Sequence, residues 1–290
     1  MTRPAHHWPS VRPGARRRLG SLAQHVRYEI IPSPDVEESV QRHVPTDVPV
    51  AITASPNKGI EATVEIAERL AGAGYTVVPH VSARLLRDEG HLREVAARLQ
   101  EAGVEDVFVP AGDAEVPAGI YESALPALME LARLERRFGR VGITGYPQSH
   151  PRILDDVTVQ AMWDKRLYAD YIVSNMCFDA AVLREWIRRI RARGVTLPLL
   201  VGLAGPVDPA KLLAVSRRIG ISEATRFAGR HLGTVTRLAA PGGYHPDRLL
   251  ERAAASLADP AAGVEGLHVF TFNQLAATER WRQALLASAR

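Results

Sequence analysis

Seven polar or ionisable residues stand in or just after short apolar segments of this sequence. They are Glu29, Thr53, His80, Asp113, Tyr146, Asn175 and Thr271. Carboxyl, imidazole and phenol groups can transfer protons, and hydroxyl or amide groups can orient a substrate by hydrogen bonds. Each residue alone is equally well explained as a loop cap or as the filling of a strand. Seven in equivalent places predict a polar site where the ends of several strands meet.

Glu29 is the most informative of these residues because it lies within an apolar segment. Tyr28 precedes it, Ile30 and Ile31 follow it, and Pro32 then ends the segment. An unpaired carboxylate is costly to remove from water. Glu29 therefore either points to solvent from an edge strand or lies in a cavity, and the other six polar positions favour the cavity. In an apolar cavity the pKa of a carboxyl group rises, and the group becomes an acid for proton transfer near neutral pH.

Short apolar segments alternate with longer amphipathic segments, which predicts alternating strands and helices. Strands are predicted at 26–31, 48–53, 75–79, 106–110, 141–144, 171–174, 197–203 and 267–271. Helices are predicted at 34–41, 57–70, 88–101, 121–138, 156–167, 180–193, 209–219, 222–232, from 246 onward, and 273–287. Eight strands alternating with helices predict an α/β fold, the (βα)8 TIM barrel, whose active site lies at the C-terminal strand ends. An open dinucleotide-binding sheet is disfavoured, because Pro32-Ser33-Pro34 replaces its glycine fingerprint after the first strand.

The charge of the chain is unevenly distributed. The formal net charge is +4, but residues 1–27 contain six arginines and no acidic residue. Without those six, 30 basic residues remain against 32 acidic residues, which is a net charge of −2. The body of the protein needs no basic face, which argues against nucleic-acid binding. We expect residues 1–25 to form a flexible basic extension and residues 26–290 to form a single barrel domain.

The composition indicates a globular protein. Hydrophobic residues make up 46% of the chain and charged residues 23%, which are ordinary values. No segment approaches 18 consecutive apolar residues, so no membrane span is predicted. The single cysteine, Cys177, cannot form an internal disulfide, which suits a reducing compartment. Together these features predict a cytoplasmic location.

Six motifs at the predicted strand ends follow one another in an order that is found in a known family. The first is Tyr28-Glu29-Ile30-Ile31-Pro32. The others are Pro79-His80, Gly112-Asp113, Tyr146-Pro147 with His150-Pro151, the segment 175–179, and the segment 268–273 that begins with His268. In this the chain resembles the methylenetetrahydrofolate reductase family, whose first strand carries an aromatic-Glu-aromatic-aromatic-Pro-Pro signature. The resemblance covers about residues 26–288.

The resemblance implies reduction of 5,10-methylenetetrahydrofolate to 5-methyltetrahydrofolate. Glu29 matches the family's proton donor, which protonates N10 so that the imidazolidine ring opens to an iminium at N5. Asp113 matches a carboxylate that faces the pterin and supports this cation. Asp113 is also expected to bind the substrate, together with Asn175, Phe178 and Thr271, where Asn175 is one methylene shorter than the family's glutamine. No metal is expected.

The resemblance also implies a redox cofactor at the mouth of the barrel. The positions that match the flavin lining, and that would equally line a nicotinamide pocket, are Thr53, His80, Gly112, Tyr146 and His150. The family holds the FAD diphosphate with basic residues, but the matching positions here carry Ala111, Trp163 and Asp164, although Lys165 and Arg166 lie one register step away. A carboxylate repels a diphosphate. The chain therefore most resembles the flavin-independent actinobacterial branch, in which NADH or NADPH transfers hydride directly in a ternary complex.

Three other functions stay open at this point. The chain could be an FAD-dependent reductase of the same family, a folate-dependent methyltransferase or demethylase, or a non-catalytic barrel that binds folate. In every case the predicted partners are small molecules, namely methylenetetrahydrofolate and, for a reductase, NAD(P)H. A monomer or a small homo-oligomer is expected.

Overall fold

The computed structural model describes residues 11–150, 153–206 and 246–288. Within these ranges eight parallel strands form one sheet in the order β3-β2-β1-β8-β7-β6-β5-β4. The strands are β1 (Val26–Ile30), β2 (Val50–Ile52), β3 (Val77–Pro79), β4 (Asp106–Phe108), β5 (Arg140–Gly145), β6 (Tyr171–Ser174), β7 (Leu199–Ala204) and β8 (Val264–Phe270). A parallel bridge between His80 and Phe108 joins β3 to β4. The bridge closes the sheet into a barrel, so the predicted (βα)8 fold is confirmed.

Helices connect the strands and surround the barrel. They are α1 (Pro13–Gln24), α2 (Val36–His43), α3 (Glu61–Gly72), α4 (Glu89–Glu101), α5 (Ala124–Leu131), α6 (Asp155–Lys165), α7 (Ala180–Ala192), α8 (Pro246–Ala258) and α9 (Leu275–Ser288). None of the helices in the described ranges is long and apolar enough to cross a membrane. The helices predicted at 209–219 and 222–232 lie outside the described residues.

Helix α5 is shorter than the helix predicted at 121–138. It begins after Ser123 and ends at Leu131. Pro126 lies in its first turn, where the missing N–H is tolerated, so the helix cannot begin much earlier. Beyond Leu131 the chain continues as turns and bends, although Leu134 and Phe138 still pack against the core.

Helix α1 lies where we expected a flexible extension. Its residues Leu19, Leu22 and Ala23 are buried and pack against α8, α9 and β8. Pro13 occupies the first position, where its fixed φ favours helix formation. The three apolar positions form a helical stripe, which the arginine-rich composition of the segment conceals. The ordered part of the protein therefore begins before residue 26.

The strands alternate between the two faces of the barrel wall. On β1, Tyr28 points outward, and its hydroxyl donates to Glu279 of α9 at 2.7 Å. Its two neighbours, Arg27 and Glu29, point inward, because successive side chains of a strand point to opposite faces. The apolar part of the interior is a buried cluster formed by Ala51, Val78, Phe108, Tyr171, Val173 and Leu200. One strand thus places two ionisable side chains inside the barrel at different heights.

Arg27 lies near the N-terminal ends of the strands, in a polar cluster that we call the barrel floor: Arg27, Asp106 and Tyr171. The guanidinium donates to Asp106 Oδ2 at 2.7 Å and to the Tyr171 hydroxyl at 2.6 Å. The Tyr171 hydroxyl in turn donates to Asp106 Oδ1 at 2.6 Å. Gly142 makes room for the Tyr171 ring, because a Cβ there would lie 2.4 Å from it. Mutual hydrogen bonds offset the cost of burying these charges.

Removing one partner of the barrel floor should be strongly destabilising. Arg27→Met would leave Asp106 buried without its cation, and breaking a buried pair in this way costs about 3–5 kcal/mol. We expect urea denaturation to show a loss of that order. Arg188→Met is the matched control, because Arg188 and Glu185 form an exposed pair on α7 and its loss should change little. Equal midpoints for Arg27→Met and the parent protein would contradict this interpretation of the floor.

Candidate active site

Glu29 lies above Arg27 on the same strand and inside the barrel. It is aligned with Ala51 on β2 and with Phe270 on β8, and 12% of its side chain is exposed. Burial raises the pKa of Glu29 to about 7, and the nearby His80 ring opposes the rise. The expected cavity position is therefore what the structure shows. A carboxyl group with such a pKa is present both as acid and as base near neutral pH.

His268 on β8 makes the one hydrogen bond that the Glu29 carboxyl has among the described residues. His268 Nε2 lies 2.9 Å from Glu29 Oε2, and the His268 ring stands edge-on to Phe270 with a centroid distance of 5.0 Å. Only 1% of the His268 side chain is exposed. Burial, followed by the positive charge of Arg27, holds the pKa of His268 well below its usual value. The ring is therefore neutral at physiological pH.

His80, which follows β3, approaches the same carboxyl oxygen from the other side. Its Nε2 lies 3.7 Å from Glu29 Oε2, and its ring packs on Phe108 at 4.7 Å. Burial lowers the pKa of His80 to about 4, although the charge of Glu29 acts in the opposite direction. Glu29 thus lies between two neutral imidazoles. This cluster of Glu29, His80 and His268 is called the carboxyl–imidazole cluster below.

Thr271, which was predicted to bind substrate, is the first residue after β8. Its side chain is fully buried, and its hydroxyl donates to the Glu29 carbonyl oxygen at 2.6 Å. The Asn273 amide, in turn, accepts from the Ile31 N–H and donates to the Ile31 carbonyl, both at 2.9 Å. These bonds fix the end of β1 against β8. Thr271 therefore contacts the main chain of Glu29.

Asp113 stands on the loop that follows β4, at the C-terminal ends of the strands, which we call the mouth. Gly112 has a φ of +91°, and a Cβ there would meet Ser82 at 3.1 Å. Arg84 anchors the loop, because its guanidinium donates to the carbonyls of Ala114, Glu115 and Glu122 at 2.8, 2.8 and 3.0 Å. These three bonds hold the exposed Asp113 in place at the mouth.

Tyr146 and His150 lie in the loop after β5 and pack edge to face, with ring centroids 4.9 Å apart. The pKa of Tyr146 is raised by burial and, to a smaller extent, by the charge of Asp113. Asp113 therefore lies close enough to Tyr146 to act on it electrostatically. The loops after β4 and β5 meet at this point.

The remaining predicted residues follow the strands β2 and β6. Thr53 is partly buried, and its N–H donates to the Ile30 carbonyl at 3.0 Å. Asn175 is exposed directly after β6, and its side-chain oxygen accepts from the Met176 N–H at 2.7 Å. Phe178 is partly buried three residues further on. All of these predicted residues follow C-terminal strand ends, while Glu29 lies deeper within the wall.

Among the described residues, two cations beside the mouth already have main-chain partners. Arg84 donates to three carbonyls, and Lys58 donates to the Pro32 carbonyl at 2.6 Å. Trp163 and Asp164 stand at the positions on α6 that were matched to the family's basic pair. Trp163 lies 3.8 Å from the Cβ position of Gly194, which follows α7 and precedes β7. The pair is therefore at the end of α6 that is remote from the mouth.

Two residues of the site, His268 and Arg84, were not singled out as site residues from the sequence. His268 was noted only as the first residue of a motif, and its inward direction follows from the register in which it pairs with Arg27. Arg84 gave no signal, because its three acceptors are main-chain carbonyls 30 to 38 residues away. Among the described residues, no group of three or more His, Cys, Asp or Glu side chains is arranged so that it could hold a metal ion.

The fold and the carboxyl–imidazole cluster define a TIM-barrel protein with a buried acid below its mouth. The sequence model of the methylenetetrahydrofolate reductase family matches residues 36–223, which is more than half of the chain. The chain therefore belongs to the methylenetetrahydrofolate reductase family, and the family supports folate-related reduction in general. The match begins after Glu29, so the assignment of that residue rests on its motif and its geometry.

Solved structures show more distant similarity. A protein described as a lyase/mutase from Burkholderia cenocepacia has 18% identity and a TM-score of 0.48, covering 95% of this chain and 85% of its own. Dihydropteroate synthase from Thermus thermophilus has 17% identity and a TM-score of 0.43, with coverages of 90% and 92%. Phosphoribosyl anthranilate isomerase from Thermococcus kodakaraensis has 15% identity and a TM-score of 0.42, with coverages of 91% and 98%. At these scores the comparisons carry no argument about activity.

The raised pKa of Glu29 should make the stability of the fold depend on pH. From about pH 4.5 to 7 the unfolded chain ionises Glu29 while the folded protein retains the proton, so stability is lost as the pH rises. Glutamine does not titrate. We expect the stability of Glu29→Gln relative to the parent protein to increase by about 3 kcal/mol between pH 4.5 and pH 8.

Chemical denaturation at the two pH values measures this difference. Glu130→Gln on α5 is the control, because the hydrogen bond from Arg93 lowers the pKa of Glu130. Its pH dependence therefore falls mostly below pH 4.5, and its difference from the parent protein should change little between the two pH values. A pH-independent difference between Glu29→Gln and the parent protein would show that Glu29 is ionised throughout this range in the folded state.

Proposed function

We propose that this protein reduces 5,10-methylenetetrahydrofolate to 5-methyltetrahydrofolate with NADH or NADPH as a dissociable hydride donor. The observation that carries the proposal is the position of Glu29, which lies inside the barrel with a pKa of about 7. Family membership supports the folate substrate class. The nicotinamide and the direct transfer of hydride extend beyond the family match.

Glu29 supplies the proton that opens the imidazolidine ring. The proton passes from the carboxyl group to N10, the bond between N10 and the methylene carbon breaks, and an iminium forms at N5. An acid is effective in this role when its pKa lies near the working pH, and such transfer contributes about 10²–10⁴-fold. Solvent water then returns a proton to the carboxylate. Burial inside the barrel keeps the group protonated until the substrate arrives.

Asp113 and the polar residues of the mouth complete the substrate site. The iminium is a cation, and a carboxylate held nearby in a poorly hydrated site stabilises it electrostatically. Asp113 is suited to this role because Arg84 fixes its loop by three hydrogen bonds. Under this proposal Asn175 and Phe178, which follow β6, contact the pterin by hydrogen bonding and by packing. The reduced nicotinamide supplies hydride to the methylene carbon.

A dissociable nicotinamide is consistent with the charge of the mouth. A flavin that stays bound through purification needs a dissociation constant in the nanomolar range, whereas a cosubstrate functions at micromolar affinity, a difference of about 4 kcal/mol. Among the described residues, the cations Arg84 and Lys58 beside the mouth already donate to main-chain carbonyls. Thr53, His80, Gly112, Tyr146 and His150 would line the nicotinamide pocket under this proposal.

An absorption spectrum followed by a turnover assay tests the proposed function. We expect the purified protein to lack flavin absorbance and to oxidise NADH or NADPH only when methylenetetrahydrofolate is present. A yellow protein with stoichiometric flavin would instead identify an FAD-dependent reductase. Methyl exchange without nicotinamide oxidation would identify a transferase or demethylase, and folate binding without turnover would identify a binding protein.

Replacing the acid should separate chemistry from binding. Glu29→Gln cannot donate the proton, so we expect turnover to fall by about 10²–10⁴-fold while methylenetetrahydrofolate still binds. Steady-state kinetics and isothermal titration calorimetry measure the two quantities. Glu185→Gln on the exposed face of α7 should leave both unchanged. A Glu29→Gln variant that retains full turnover would remove the proposed mechanism.

A further inference from the structure

We propose that His268 is a positioning residue for Glu29, donating its Nε2–H to Glu29 Oε2 and thereby leaving the transferable proton on Oε1. The nitrogen and the oxygen are 2.9 Å apart. The identity of the proton acceptor, N10 of the folate, rests on the proposed function. The arrangement of the carboxyl group does not.

The burial of the His268 ring decides which of its nitrogens carries hydrogen. A neutral imidazole has one N–H, and His268 Nδ1 is buried with no hydrogen-bond partner among the described residues. A buried N–H without an acceptor is more costly and rarer than a bare lone pair. Hydrogen on Nε2 therefore gives the N–H an acceptor in Glu29 Oε2 and leaves only a lone pair at Nδ1. The ring is a hydrogen-bond donor to the carboxyl group.

The two oxygens of Glu29 consequently have different roles. Both imidazoles approach Oε2, His268 at 2.9 Å and His80 at 3.7 Å. Oε1 has no hydrogen bond to any residue in the described ranges. Because Oε2 accepts the His268 N–H, a protonated carboxyl group carries its own hydrogen on Oε1, the oxygen that remains for the substrate.

The same hydrogen bond stabilises the product of proton transfer. Once Oε1 has lost its proton to N10, the carboxylate retains the donor at Oε2, and hydrogen bonds to an ionised acceptor are stronger than those to a neutral one. His268 thus favours the carboxylate and limits the rise in the pKa of Glu29 that burial causes. The proton leaves with the substrate nitrogen and is replaced from water, so no other reactant is needed.

Other charged groups face Glu29 from the neighbouring strands. His80 follows β3, and Arg27 lies two residues earlier on β1, where it is paired with Asp106 of β4 and bonded to Tyr171 of β6. The charge of Arg27 disfavours protonation of both imidazoles. These groups are retained when His268 alone is replaced, so a change in the titration of Glu29 reports on the His268 hydrogen bond.

Two replacements of His268 test the proposal. In His268→Gln the amide nitrogen is the same number of bonds from Cβ as the imidazole Nε2, so the donor is retained, whereas His268→Leu removes it. We expect His268→Leu to lower kcat by about 10–100-fold and to move the alkaline limb of the pH profile upward by about one unit. His268→Gln should remain within about threefold of the parent kcat, since the hydrogen bond to the carboxyl group persists.

A control variant and a second measurement separate the role of His268 from a general effect of losing a histidine hydrogen bond. His91→Leu removes a comparable bond, 3.0 Å long, from His91 to Glu61 between α4 and α3 outside the barrel, and should not move the alkaline limb. Carbon-13 NMR of labelled glutamate follows the Glu29 titration without substrate, so it tests the positioning role even if folate reduction is not observed. An unchanged Glu29 titration in His268→Leu, or equal shifts in the Leu and Gln variants, would overturn the proposal.

Discussion

The cost of placing a carboxyl group inside the barrel shapes the structure around it. Two carboxyl groups face the interior, and the fold accommodates them by different means. Asp106 is paired with Arg27 at 2.7 Å and receives the Tyr171 hydroxyl, so its charge is compensated. Glu29 receives only a neutral imidazole, and burial raises its pKa to about 7. The compensated group serves the fold, while the uncompensated one has the properties of a proton donor.

The register of β1 fixes the positions of both Arg27, which pairs with Asp106, and Glu29. Arg27 and Glu29 are two residues apart on β1, so both face inward, and a slip of one residue would turn both outward and bring Tyr28 in. The bonds from Thr271 and Asn273 to the end of β1 oppose such a slip, as does the Tyr28 hydroxyl bond to Glu279 on the outer face. The register that satisfies the barrel floor therefore also places the acid.

The strand order, the barrel and the inward position of Glu29 follow from the sequence because they depend on local periodicity and on where polar residues interrupt it. The contacts around Glu29 do not, since His268 is 239 residues away along the chain and its role depends on which strands pair and in what register. The contacts of Arg84 with main-chain carbonyls have no sequence signature. Helix α1 was missed because its three arginines concealed an apolar stripe. Trp163 and Asp164 were matched to a basic pair near the mouth, but they lie at the end of α6 that is remote from it.

Under the proposed function, Arg84 connects the order of the loop that carries Asp113 with the choice of hydride donor. A guanidinium that donates to three carbonyls has two of its five N–H donors left, so it offers a diphosphate less than a free guanidinium would. The same bonds that hold Asp113 in place therefore remove a cation from the mouth. Both effects agree with the proposed function. The iminium needs a fixed carboxylate nearby, and a nicotinamide that leaves after each turnover needs less electrostatic attraction than a permanently bound flavin.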